Sequence, residues 1–389
     1  MRPLTALFSA SLICLCLLLL SPANTASAQG GETPAAGAKP DVKIGLMGPI
    51  TGPWASEGQD MEKVVLLMAE EANRSGGAGG AKIVIHPADD GGTPKTAALA
   101  AQQLISAGVA AVVGTYGSAV TEATQYLYDE AGIIQIATGS TSVRLSEKGL
   151  TRFFRTCPRD DEQGRILASK VKELGFKRAA IVHDNSSYAK GLADEANSLF
   201  KDAGIETVFF DSITAGDRDF TATLTTIKTK NPDVIVFTGY YPEAALILRQ
   251  KKEMNWDVPM IGGDATNNAA LVESAGVNAA GGYYFVSPPG PGDIKGDRAA
   301  RLLDSYQRKY EVLPSSVWAI LAGDAFGVLA EAAAAVGPDS EKMAKWLHED
   351  LKDYDGLTGS ISFNEKGDRI GEVYRLYQVD DKGAFVLKE

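Results

Sequence analysis

From Val42 onward, short apolar, β-branched runs alternate with longer stretches whose apolar residues recur every three or four positions. The runs are VKIGLMG, AKIVIHPADD, AAVVGTYG and GIIQIATG, followed by RAAIVHDN, ETVFFDSIT, PDVIVFTGYY, VPMIGGDA and GGYYFVSP. Strands spaced by helix-length segments predict βαβ units, and hence parallel sheets with helices on both faces. Met61, Val64, Val65, Met68, Ala69 and Ala72 share one helix face, which ends near Ser75-Gly76-Gly77. Thr93-Pro94 reads as an N-cap and first-turn proline opening KTAALAAQQLI. Two such batches, about 41–157 and 158–285, predict an α/β protein with two doubly wound parallel-sheet lobes. The last third adds helices at RAARLLDSYQRKY and SVWAILAGDAFGVLAEAAAAV, then a hairpin-like ISFNEKGDRIGEVYRLYQV with turn chemistry at Lys366-Gly367-Asp368. The chain is therefore expected to cross between lobes more than once. In open α/β sheets ligands bind beyond the carboxyl ends of the strands, which here would meet at a shared cleft.

The first residues have a different pattern. Arg2 precedes an uncharged apolar run from Ala6 to Leu20, then Ser21-Pro22 and the small-x-small triplet Ala26-Ser27-Ala28. This reads as a secretory signal peptide over 1–28, cleaved after Ala28. The run falls short of the roughly 20 residues that span a bilayer, and no second hydrophobic segment is read after it, so no membrane insertion is expected once the signal is removed. Segment 29–40, QGGETPAAGAKP, has almost nothing to bury and reads as a disordered leader. Cys14 and Cys16 leave with the signal, so Cys157 remains alone and no internal disulfide is expected. One cation also leaves, taking the formal charge from −11 to −12, a balance that argues against nucleic acid as a partner. The 361 residues left of 389 exceed the usual single core.

The candidate chemistry lies at the strand ends. Between Ala111 and Ser142 two strand-like runs end in small, hydroxyl-rich loops, at Gly117-Ser118 and at Gly139-Ser140-Thr141, and the first opens into a helix. Unpaired amides at a helix start, with a hydroxyl beside them, make a cradle for a carboxylate without any cationic side chain. The second batch places Tyr188, Tyr240 or Tyr241, and Asp264 after its strands, and Trp54 follows the first strand of all. Donors on one wall, with one carboxylate and aromatic rings on the other, suit a small zwitterion. Each residue has an ordinary alternative: Ser118 and Asp264 as helix caps, Trp54 as a surface plug, and Tyr240 and Tyr241 on opposite faces of a strand. A serine hydrolase would need a G-x-S-x-G elbow, but Ser118 sits in Tyr116-Gly117-Ser118-Ala119-Val120, and only His86, His183 and His348 are present. No metal, phosphate or dinucleotide motif is found, so no cofactor, metal or catalytic residue is expected.

The order of these elements resembles the periplasmic leucine/isoleucine/valine-binding proteins, receptors of branched-chain amino-acid ABC transporters. The resemblance is carried by GPITGP, DDGGTPKTA, the Ser118 and Gly139-Ser140-Thr141 loops, IVHDNSSYAKGLA, VFFDSITAGDRDF, TGYYPEAALILRQ and FNEKGD. It implies a type I periplasmic-binding fold with three crossovers and hinged closure, with lobes over 41–157 plus 288–358 and 158–287 plus 359–389. It further implies a monomeric periplasmic receptor that hands an amino acid to a membrane permease. Ser118 and the Thr141 amide would hold the ligand carboxylate; the Gly139 carbonyl, the Thr141 hydroxyl and Asp264 its ammonium; Tyr188 and Tyr240 would line the far wall. The chain departs from that pattern in carrying Asp264 for a glutamate and Glu57 for an aromatic. It also has Gly92 and Gly117 where the family has a cysteine pair. A different amino acid, or a related amide or carboxylate, is therefore an open alternative, as is a sensor domain.

Overall fold

The computed structural model describes residues 39–388. The expected signal peptide, 1–28, and most of the expected leader, 29–40, lie outside the described residues. The first sheet collects β1 (Val42–Gly48), β2 (Ile83–Asp89), β3 (Ala111–Val113), β4 (Ile134–Ala137) and β5 (Phe153–Arg155), all parallel, in the order β2-β1-β3-β4-β5. Between them run α1 (Ala55–Arg74), α2 (Pro94–Ala107) and α3 (Ser118–Glu130). The alternation of a strand explains the layering: Ile44 and Leu46 pack with Met61 and Val65 of α1, whereas Met47 joins Ala97, Leu104 and Val120 on the opposite face. Thr93 caps α2 through its side chain, with Pro94 at the first position, as its sequence predicts.

The second lobe opens with α4 (Asp160–Glu173), β6 (Arg178–His183), α5 (Ser187–Ala203) and β7 (Glu206–Ser212). It continues through α6 (Thr221–Thr229), β8 (Val234–Phe237), α7 (Tyr241–Glu253), β9 (Met260–Gly262), α8 (Ala270–Ala275), α9 (Val277–Ala280) and β10 (Tyr284–Ser287). The chain then returns to the first lobe as α10 (Asp297–Tyr310), α11 (Val317–Val336), α12 (Ser340–Glu349) and the small pair β11 (Tyr354–Gly356) and β12 (Gly359–Ile361). It ends in the second sheet with β13 (Arg375–Val379) and β14 (Phe385–Lys388), giving the order β14-β13-β10-β9-β8-β6-β7.

Four sequence expectations change. β5 was not foreseen: its three residues, Phe153, Phe154 and Arg155, include no β-branched residue and are followed by no helix before Pro158. The C-terminal hairpin pairs differently: Gly367 does turn, and Phe363 bridges Arg369, but β13 pairs antiparallel with β10 and β14, not with the ISF run. The lobe boundary at 358/359 moves to after Arg369, because β12 pairs β11, Phe363 packs on Phe154, and Asp368 bonds Arg155 of β5. Finally, there is a second hydrophobic segment long and apolar enough to cross a membrane, α11, but it is mostly buried and lies along α1. Its uniform apolarity reflects a core helix covered on nearly every side. Cys157 is buried and free, and burial pushes its thiol up to about 12, so it stays an unreactive packing group.

Candidate functional site

The carboxyl ends of both sheets face one another. On the first lobe, Gly48 leads to Trp54, Val113 to Ser118, and Ala137 to Gly139-Ser140-Thr141. On the second, His183 leads to Tyr188, Phe237 to Tyr240, and Gly262 to Asp264. The lobes are closed on each other. The Trp54 ring stacks on Tyr240 at 4.1 Å between centroids and meets Tyr116 edge-on at 5.5 Å. Tyr240 also packs against Tyr188 at 5.4 Å, and Trp318 closes the box against Tyr116 at 6.0 Å. Trp54 is therefore a cross-lobe lid. β8 stops at Phe237, so the alternation expected for Tyr240 and Tyr241 does not apply: both reach the first lobe, and the Tyr241 hydroxyl donates to the Pro53 carbonyl at 2.9 Å.

Ser118 occupies the first position of α3 and is not its cap; Gly117 is. The Ser118 hydroxyl accepts the Ser142 amide at 3.2 Å, which leaves its proton for another acceptor. Thr141 is buried, and its hydroxyl has no partner among the described residues. Ser140 does not face the cleft. Its hydroxyl turns into the lobe onto Thr121 at 2.7 Å and the Thr115 and Tyr116 carbonyls at 3.1 Å, so it positions the loop instead of contacting a ligand. Trp54 rests on two glycines: a Cβ on Gly92 would come 2.9 Å from its ring, and one on Gly117 3.0 Å. Gly117→Ala is thus expected to drive the indole into Tyr240 and cost about 1–3 kcal/mol, read as a lower urea midpoint.

On the opposite wall Asp264 is buried, and its Oδ2 accepts the Tyr374 hydroxyl at 2.7 Å, so it is not serving as a cap. Asp160 and Gln163 of α4 stand beside it. Both Asp160 carboxylate oxygens and Gln163 Nε2 are buried without partners, as is the Tyr116 hydroxyl. Burial raises both Asp264 and Asp160, and the charge of Asp264 raises Asp160 further. Buried polar groups are normally satisfied, so this concentration of unmatched ones between two lobes marks a place built for a polar guest. Sequence reasoning missed Tyr116, Trp318, Asp160, Gln163 and Tyr374. Asp160 and Gln163 had a usable signal in RDDEQG, a polar helix start directly after the first crossover.

Arg155 was missed too. Its side chain is fully buried, with Nε on Asp368 at 2.6 Å and Nη1 on the Ser140 and Ser142 carbonyls at 3.1 and 2.9 Å. It grips the loop on either side of Thr141. Glu57 is buried and takes Asn268 Nδ2 of the second lobe at 2.7 Å and the Ser316 hydroxyl of its own. Burial pushes its carboxyl up to about 7. A raised carboxyl favours its protonated form in the closed arrangement, so closure gains at low pH and loses as pH rises through about 7. The closing equilibrium should change by up to about tenfold per pH unit. Scattering at pH 5.5 and pH 8 checks this, and Glu57→Gln should flatten the difference.

A sequence profile of the family described as periplasmic binding protein matches residues 41–384. The chain belongs to that family. It is 34% identical over 341 residues to the Leu/Ile/Val-binding protein BraC3 of Rhizobium johnstonii, covering 87% of this chain and 91% of that one. Among solved structures it is similar to the leucine-binding protein LivK of Thermotoga maritima, at 27% identity and a TM-score of 0.83 over 90% and 98% of the two chains. It is likewise similar to LivJ of Streptococcus pneumoniae in complex with isoleucine, at 31% identity and a TM-score of 0.80 over 90% and 100%. The fold is that of type I periplasmic-binding proteins, and the family places the chain in the periplasm.

Proposed function

We propose that this chain is a periplasmic receptor that closes its two lobes on a small amino acid and delivers it to an ABC transporter permease. The observation that carries the reading is the set of buried, unmatched polar groups facing the aromatic box of Trp54, Tyr116, Tyr188 and Tyr240. Ser118 and the Thr141 amide hold the ligand carboxylate. Asp264, the Thr141 hydroxyl and the Gly139 carbonyl hold its ammonium, and the rings enclose the side chain. The ligand touches both walls only in the closed form, and that differential affinity drives closure. The names of the relatives, which specify leucine, isoleucine and valine, and the isoleucine in the LivJ structure support an amino-acid ligand. The hinge lies at three connections, near 157, 288 and 370. The receptor works as a monomer, without cofactor or catalysis, after export and cleavage behind Ala28. Calorimetric titration with the branched-chain and smaller amino acids tests the reading. Saturable one-to-one binding with a raised melting point is expected. Absence of binding across all amino acids, or turnover of amino-acid esters and amides, would overturn it.

A further inference from the structure

Beside the hinge, and sharing no residue with the cleft site, is a cavity of about 280 Å³. All three lobe connections wall it: Pro158 from the first, Pro288 and Pro289 from the second, and Val373 from the third, with Arg375 where β13 begins. Ile294, Val317 and Leu321 give it an apolar side. Its charged groups are Lys295, Arg369 and Arg375 against Asp293 and Glu372, and Glu372 is already paired with Arg165 at 3.0 Å. The Arg369 side chain is only 5% exposed. Its two terminal nitrogens bond the Thr358 hydroxyl at 2.6 Å and the Thr358 and Ser360 carbonyls at 3.1 Å, while its Nε–H has no partner among the described residues. The nearest acid, Asp324, is 4.0 Å away and is engaged by the Leu357 amide and Thr358. Two exposed cations, Lys295 and Arg375, beside a buried guanidinium whose own N–H groups are bonded or enclosed, together with the apolar side, are complementary to a carboxylate with an apolar tail.

We propose that this hinge cavity is a second ligand site, taking a small apolar-tailed monocarboxylate whose binding biases lobe closure through Tyr374. Val373 and Arg375 line the cavity, and Tyr374 between them sends its hydroxyl the other way, onto Asp264 of the cleft. A guest that shifts 373–375 therefore moves the acid of the first site. Because all three connections form the walls, the cavity's shape belongs to one lobe angle, and a guest that prefers that shape shifts the closing equilibrium.

The test uses 6-bromohexanoate on the purified chain. Anomalous scattering should place the bromine in the hinge cavity, and solution calorimetry should show binding at millimolar concentration or tighter. The combined Lys295→Gln and Arg375→Gln variant, both exposed positions, should weaken that binding at least tenfold, and the uncharged 6-bromohexanamide should bind at least tenfold more weakly than the acid. Small-angle scattering of the wild-type chain should change when the site is filled. Bromine found only in the cleft, binding at crystal concentration only, or an unaffected double variant would overturn the site; an unchanged scattering profile with the cavity occupied would overturn its effect on closure. None of these readings requires an amino acid in the cleft, so failure of amino-acid binding is distinguishable from failure here.

Discussion

Asp264→Asn is expected to weaken amino-acid binding by roughly 10- to 150-fold while leaving the fold intact, because it removes one charge-assisted hydrogen bond worth about 1.5–3 kcal/mol. The amide keeps an oxygen for the Tyr374 hydroxyl, which holds the acid at 2.7 Å, so the local structure survives and the loss is specific to the ligand. Neither a capping role nor a purely structural one would produce that split. The pH profile adds a second reading. Burial pushes the Asp264 carboxyl from its ordinary 3.8 up to about 6, and an ammonium binds the ionised form. Below about pH 6 the ligand-free carboxyl is protonated and must release its proton, so affinity falls up to about tenfold per unit as the pH drops. The variant should lose that dependence. Calorimetry between pH 5 and pH 8 measures both effects, and an unchanged affinity in the variant would remove Asp264 from the ammonium site. Glu57 acts in the opposite direction, favouring closure at low pH, so the two contributions are best separated in the Glu57→Gln background.

Most of the strands and the long helices were legible because their periodicities are strong. The face shared by Met61, Val64, Val65 and Met68 is the buried face of α1, and the nine β-branched runs all became strands. The site was partly legible for the same reason: strand ends in a parallel sheet share one edge, so Ser118, Thr141, Tyr188, Tyr240 and Asp264 can be grouped from the sequence alone. What the sequence hid depends on long-range geometry. Ser140 lies in the same loop as Thr141 but points into the lobe, a direction fixed by Thr121 and the Thr115 carbonyl, which are distant in sequence. Glu57 stands in the first turn of α1, and only its meeting with Asn268, 211 residues away, makes it an interlobe contact. Tyr374 and Arg369 belong to a segment whose pairing was misread, since a turn at Gly367 gives no information about which strand receives the chain afterwards. α11 gave the opposite error: its composition says apolar, and only packing against α1 says where that surface goes.

Arg155→Met is expected to destabilise the chain by roughly 3–5 kcal/mol, the range for removing one member of a buried ion pair. Asp368 is itself buried and would retain only Arg159, at 2.8 Å on its Oδ2. The Ser140 and Ser142 carbonyls and the Ser146 hydroxyl, at 2.6 Å from Nη2, would each lose a donor in a setting that water reaches poorly. Arg155→Lys should recover little, because a single ammonium cannot reach the carboxylate and both carbonyls that the planar guanidinium spans. Arg155→Met combined with Asp368→Leu should recover much of the loss, since an apolar pair of similar volume leaves no unpaired charge. Urea unfolding midpoints across the three variants measure this. A single-variant loss under 1 kcal/mol would show that the pair is not structurally important. The same series reports on function: Arg155 holds the carbonyls on both sides of Thr141, so the rescued double variant should fold yet bind its ligand more weakly, whereas full recovery of affinity would show that the Thr141 loop keeps its shape without the guanidinium.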